Sequence, residues 1–411
     1  MLIALALIAA APEATPATPA IRARIDRILR ATPLIDGHND LAEQLAEHRQ
    51  SRVDGLASGA ARFDPPLMTD IARLRAGRVG GQFWSVYIPA SVHGDEAIRR
   101  TIEQIDLVER LIAAYPRDLE AATTADDIVR IHGAGRIASL IGIEGGHQIG
   151  ESMAALRQFY RLGARYMTLT HFATTGWADS ATDDPKHGGL SPEGVAVVRE
   201  MNRLGMLVDL SHVSEATMLG ALAASRAPVI FSHSSAKALD PHPRNVGDGV
   251  LRRLAANGGL VMVNFYPGYV SEAFWRWNAD EAAEEARQKS LHAGDPAGRD
   301  AAIAAWKAAH PRPLVTVAQV ADHIDHIARV AGHDHVGIGG DLDGIEATPE
   351  GLNDVGGYPA LFAELIRRGW SDADLAKLAG GNLLRVMRGA EATARAMQGV
   401  GPAMDKLPPA P

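Results

Sequence analysis

Eight short, apolar, β-rich runs constrain this chain more than any other feature. They lie at 34–41, 82–90, 137–145, 166–171, 206–212, 228–234, 260–266 and 335–341, separated by longer stretches with helical spacing. In one such stretch, 96–115, Ile98, Ile102, Ile105 and Ile112 recur at that spacing. Strands that alternate with helices pair in parallel, because each crossover helix carries the chain back to the starting end of the sheet. Eight such units predict an α/β fold, a (β/α)8 TIM-type barrel. An open doubly wound sheet is the alternative, but Gly37 stands alone in LIDGHND, where that fold would place a glycine-rich phosphate loop.

A chain of 411 residues suits one large barrel or two ordinary domains, and neither an internal repeat nor a linker divides it. The expected organisation is a leader and Pro/Ala spacer at 1–20, one barrel domain at 21–395 and a flexible tail at 396–411. Residues 271–313, rich in Ala, Glu and Arg and carrying Trp275, Trp277 and Trp306, read as a helical insertion between the seventh and eighth strands. Such an insertion leaves from the active-site face of a barrel, where it could cover the pocket or serve as a solvated decoration or oligomer contact.

Composition narrows the chemistry. Hydrophobic residues make up 46% and charged residues 22%, enough for a packed core. Forty-one basic against 49 acidic residues give a net charge of −8 with no basic cluster, which argues against nucleic acid or an anionic membrane as the main partner. Cysteine is absent, which removes disulfides, thiolate metal sites and cysteine nucleophiles. Any metal must sit on His, Asp or Glu. The run LIALALIAA at 2–10 is shorter than the roughly 20 residues a membrane span needs and reads as a signal-peptide core, so a periplasmic or secreted location is expected. No Lys or Arg precedes it, which leaves a cytoplasmic terminus as the alternative.

Nearly every run ends in a residue that can bind metal or move protons: His38 and Asp40, Glu144, His171, His212, His233 and Asp341. His38 and Asp40, at i and i+2, point to the same side of a strand and can grip one ion together. A lone strand-end His is more often structural, but a set gathered at one end of a barrel is a site. His147 reads as a residue orienting a ligand, whereas His48, His93, His132, His187, His242, His292, His310, His323, His326, His333 and His335 read as exposed. Three neutral imidazoles with Asp40 and a shareable Glu144 give five ligands, more than one tetrahedral zinc needs and suited to two ions. Nitrogen and oxygen donors favour two Zn²⁺, with Mn²⁺ or Co²⁺ as substitutes.

The segments LIDGHNDL, IGIEGGHQI, MTLTHFATTGWADS, VDLSHVS, SHSSAKAL followed by RNV, MVNFY and GIGGDLDGI match in order the motifs of the membrane (renal-type) dipeptidase family. The resemblance covers residues 25–387 and is to the microbial soluble branch, whose barrels are amidohydrolase-like. It implies hydrolysis of dipeptides, including those with a D-residue second, by two zinc ions. It further implies that His38 and Asp40 hold one zinc and His212 and His233 the other, with Glu144 between them. His171 would stabilise the oxyanion, Asp341 would handle protons, Arg244 would bind the substrate carboxylate, and Tyr269 would line the pocket. The expected partners are dipeptides and a second copy of the chain as a homodimer, with no nucleic acid and no membrane span.

Elementary chemistry agrees with these roles. Two close cations lower the pKa of a water shared between them and polarise the scissile carbonyl. A carboxylate such as Asp341 can take the proton and pass it to the leaving nitrogen, while its neighbour Asp343 points elsewhere and is structural. Guanidinium grips a carboxylate through two parallel hydrogen bonds, which suits Arg244. Two alternatives stand beside this reading. One is another binuclear hydrolase, acting on an N-acyl-D-amino acid, a cyclic amide or a lactone. In some of these a modified lysine on the fourth strand bridges the metals, and here no lysine precedes Lys186. The other is a non-catalytic metal-dependent binding protein, which would have no use for Asp341.

Overall fold

The computed structural model describes residues 17–402 and residue 407. The apolar leader run and residues 403–406 and 408–411 of the tail lie outside the described residues. Leu407 is buried, and its N–H donates to the Glu151 carbonyl at 2.8 Å. The first helix, Pro19–Ala31, begins inside the expected spacer, because the Thr18 hydroxyl accepts the Ile21 N–H at 3.3 Å and a proline opens the first turn.

Among the described residues nine strands follow: β1 (Leu34–Asn39), β2 (Val79–Tyr87), β3 (Leu119–Ala121), β4 (Ile137–Glu144), β5 (Ala164–Thr168), β6 (Leu207–Asp209), β7 (Ile230–Phe231), β8 (Leu260–Val263) and β9 (Val336–Ile338). Eight of them form a closed parallel barrel in the ring order β2, β1, β9, β8, β7, β6, β5, β4. Pairing from Gly81 opposite Ala138 to Tyr87 opposite Glu144 closes it between β2 and β4. The predicted (β/α)8 barrel is therefore the observed fold. The extra strand β3 adds to the start of β4, and three residues of Leu-Glu-Ala carry no apolar run from which to infer it.

Strands buried on both faces read as continuous apolar runs, as these do. One set of side chains, among them Ile35, Phe83, Leu140, Tyr166, Leu207, Ile230, Leu260 and Met262, comes from successive strands and forms a cluster of its own. The alternate residues, such as Trp84, Ile141, Val208 and Val261, join the larger cluster shared with the surrounding helices. Inside the barrel, Gly142 on β4 makes room for the Tyr166 ring: a Cβ there would lie 2.0 Å from Tyr166 Cζ.

Most strands stop two or three residues before the predicted site residues. The chain leaves the ladder to aim those side chains over the mouth, and His212 (φ 68°) and Asp341 (φ 60°) do so in the left-handed region. Non-glycine residues rarely adopt it, and such strain gathers at functional sites. The insertion folds as two helices, Glu272–Leu291 and Pro296–Ala309, whose Trp277 and Trp306 rings lie 6.0 Å apart. Among the described residues no helix is long and apolar enough to cross a membrane.

Candidate active site

The C-terminal ends of the strands converge on a cavity of about 240 Å³. It is lined by Asp40, Glu144, His171, His212, His233, Arg244, Tyr269 and Asp341, with His38 buried just beneath. All nine predicted site residues thus come together. The wall also holds Glu43, Tyr87, Phe172, Tyr266 and Glu346, which the sequence reading did not single out.

Glu144 ends β4 at the centre of the group. Its Oε2 lies 3.3 Å from His38 Nε2, and its Oε1 lies 3.0 Å from His212 Nε2 and 3.4 Å from His233 Nε2. Asp40 Oδ2 completes one side at 3.3 Å from His38 Nε2. Two three-residue groups that could each hold a cation therefore share Glu144: His38, Asp40 and Glu144, and Glu144, His212 and His233. A third grouping, His38, His233 and Asp341, overlaps both.

The polar atoms of this cluster fit a metal. Among the described residues His38 Nε2 and Asp40 Oδ1 are buried without a hydrogen-bond partner, a costly state for a polar atom unless a ligand meets it. His212 and His233 turn their Nε2 atoms toward each other at 2.8 Å. The far side of the His233 ring explains this orientation: Ser232 Oγ donates to Asp209 Oδ2 at 2.6 Å and so accepts from His233 Nδ1 at 2.8 Å, which leaves the Nε2 lone pair facing the cavity. On the other side the Tyr166 hydroxyl lies 2.8 Å from His38 Nδ1. Asp209 and Tyr166 are supporting residues that the sequence reading missed, although Asp209 stands three positions before His212 in VDLSHVS.

Electrostatics point the same way. Burial holds His212 and His233 neutral, well below the usual imidazole range, and brings His171 down to about 4. Metal ligation requires the neutral ring. Burial also disfavours charge on His38, but Tyr166 and the Asp40 and Glu144 carboxylates outweigh it and hold its pKa well above the usual range. Burial pushes Glu144 up, yet His38 and His171 keep it well below the usual carboxylate range. Asp341 is raised well above its usual value by burial, with Asp40 and Glu144 adding to the effect against His38. Carboxylates are in surplus here, and a divalent cation would relieve the crowding.

Asp341 sits at the rim of this group, its Oδ1 3.9 Å from His38 Nε2. Asn264, just past β8, donates to its Oδ2 at 2.9 Å. His171 Nε2 is 3.7 Å from Glu144 Oε1, and its ring packs 4.7 Å from Tyr87 and 4.0 Å from Phe172. Arg244 is only 1% exposed, and its guanidinium donates to Ser234 Oγ at 3.3 Å and to the His233 carbonyl at 3.2 Å. Its Nε has no partner, and among the described residues no carboxylate pairs with it. Tyr269 lies beside it, the guanidinium carbon 5.2 Å from the ring centroid.

Several histidines differ from expectation. His147 bonds the Ile88 carbonyl at 3.1 Å, which ties β2's exit loop to β4's. His323 and His326 are buried rather than exposed: His323 Nδ1 accepts the Ala236 N–H at 2.9 Å, and His326 Nε2 lies 2.7 Å from Asp248. Helix 317–331 packs these rings toward the barrel. Asp343 is structural as expected, accepting the Met68 N–H at 2.6 Å. The insertion lines none of the cavity; it braces the wall, with Asn278 donating to the Tyr266 hydroxyl at 2.7 Å.

Comparison with known proteins agrees with this geometry. The model of the membrane dipeptidase family (peptidase family M19) matches residues 22–400. Dipeptidase verJ of Clonostachys rogersoniana is 40% identical over 389 residues, 92% of this chain and 89% of that protein. Dipeptidase aclJ of Aspergillus oryzae is 41% identical over 394 residues, 94% of this chain and 84% of that protein. Among solved structures, the probable dipeptidase PvdM of Pseudomonas aeruginosa superposes with a TM-score of 0.77 at 25% identity, covering 92% of this chain and all of that one. The chain belongs to the membrane dipeptidase family, peptidase family M19.

Proposed function

We propose that this protein is a dipeptidase that works with two zinc ions, one on His38 and Asp40, the other on His212 and His233, with Glu144 shared. The observation that carries this reading is the division of the Glu144 carboxyl, one oxygen toward His38 and the other toward His212 and His233. Its relatives' names, and the buried, unpartnered His38 Nε2 and Asp40 Oδ1, support it. When bound, the ions supply Lewis acidity to the scissile carbonyl and bring an attacking water toward a neutral pKa.

The chain's own residues do the rest. Arg244, a buried cation with no carboxylate partner, binds the free carboxylate of the second residue and so fixes which bond lies over the ligand cluster. His171, held neutral by burial, donates a ring N–H to the carbonyl oxygen as negative charge develops there. Asp341 accepts the water's proton on one carboxyl oxygen while Asn264 holds the other, then delivers that proton to the leaving amide nitrogen. Acceptance of a D-residue at the second position is part of the proposal and rests on the family resemblance.

A substrate panel on zinc-reconstituted protein tests the reading. Free dipeptides, with L- and D-residues second, are expected to be cleaved, and N-acyl-D-amino acids and lactones are not. Preferential cleavage of the latter group would replace dipeptidase with another amidohydrolase activity.

A further inference from the structure

The dipeptidase reading assigns a residue to the substrate's carboxylate but none to its other charged end. Two carboxyls in the cavity wall have no role in the account so far, and of these Glu346 accepts the Tyr266 hydroxyl at 2.7 Å. Glu43 lies in the first turn of the helix Leu41–Arg49, which begins directly after Asp40. It faces the cavity together with Asp40, Tyr87 and Glu144. Among the described residues no donor or cation bonds its carboxyl. Arg100, which lines a neighbouring cavity with Glu43, is taken up by Glu96 at 2.8 Å.

The barrel's ring order places this carboxyl across the mouth from Arg244. Tyr87 ends β2, and Glu43 follows the adjacent β1; Arg244 follows β7. In the ring β2, β1, β9, β8, β7, β6, β5, β4 the strands β1 and β7 are three steps apart one way and five the other, so Glu43 and Arg244 stand on different sides of the mouth. A dipeptide is a zwitterion whose two residues, extended, span about 7 Å. With its carboxylate on Arg244 and its amide over the ligand cluster, its first residue extends toward the β1–β2 side.

We propose that Glu43 receives the α-ammonium group of the substrate's first residue, across the metal-ligand cluster from Arg244; this inference rests on the dipeptidase reading. Asp40 and Glu144 share that side of the cavity but are committed to the ligand cluster. The proposal makes Glu43 a binding residue, selective for peptides with a free amino terminus.

Binding and turnover separate the two claims. Calorimetric titration of zinc-loaded Asp341→Asn protein with Ala-Ala and with N-acetyl-Ala-Ala reads the amino-terminal contact without hydrolysis. The free dipeptide should bind tighter, and adding Glu43→Gln should weaken it about 10- to 100-fold while leaving the acetylated peptide nearly unchanged. Equal weakening of both ligands, or loss of zinc on Glu43→Gln, would overturn the assignment and make Glu43 a support of the metal cluster. Weakening of Lys-Ala alone, with Ala-Ala unaffected, would also overturn it, since the ammonium read would be a side chain's. Hydrolysis of Ala-Ala by the wild-type protein is scored separately: its absence alongside Glu43-dependent binding contradicts the dipeptidase reading and leaves Glu43 as an ammonium site.

Discussion

Glu144 and His212 meet at 3.0 Å, Oε1 to Nε2, while the other oxygen of the same carboxyl faces His38. One carboxylate thus touches residues from β1 and from the loop after β6, which are far apart around the ring. Its position at the last residue of β4, opposite Tyr87 in the pairing that closes the barrel, fixes it there. Barrel closure therefore sets this carboxyl between the two groups of histidines.

Asp341→Asn should keep the metal complement and lower turnover by about 10² to 10⁴, the usual contribution of a positioned general acid or base. The amide preserves size and can still meet Asn264. Metal analysis alongside steady-state rates checks this, and a variant that loses metal would instead make Asp341 a ligand.

Arg244 should decide between a dipeptide and its C-terminal amide. Arg244→Ala is expected to reduce kcat/KM on the dipeptide by an amount corresponding to about 2 to 5 kcal/mol, as for other desolvated charge pairs. Arg244→Lys should recover little of it, because an ammonium lacks the two-pronged geometry. Wild-type protein should discriminate strongly against the dipeptide amide, and equal rates on both would show that the carboxylate is not read.

Tyr166→Phe removes the hydroxyl beside His38 Nδ1 and leaves the ring that Gly142 accommodates. Metal affinity should fall about 10- to 100-fold, as is usual when a ligand's supporting hydrogen bond is lost. Competition with a chelator measures it, and unchanged affinity would make Tyr166 a packing residue only.

The sequence exposed the candidate ligands because each follows an apolar run and lies at the same end of it. It did not reveal how they are held. Tyr166 reads as one more aromatic in a strand, and only the approach of its hydroxyl to His38 Nδ1 gives it a role. Glu43 reads as the polar face of a helix, and only the ring order sets it on the other side of the mouth from Arg244. The buried His323 and His326 show the same limit: their burial depends on which face of 317–331 meets the barrel, which is a tertiary fact.

His323 supplies a pH test away from the site. Burial lowers its pKa to about 4, against roughly 6.5 for an unfolded chain, so the fold favours the neutral ring. Its stabilising effect is complete above pH 6.5 and is lost as pH falls from there to 4, at most about 3 kcal/mol. Thermal unfolding across that range should be less pH-dependent in His323→Gln than in wild type, and parallel profiles would contradict the assignment.

The number of metal ions per chain tests the central claim most directly. Protein stripped with chelator, reloaded with Zn²⁺ and freed of excess should contain two equivalents, with dipeptide hydrolysis reaching its plateau only as the second is bound. Full activity at one equivalent, with no second ion taken up, would contradict a site built around a shared Glu144.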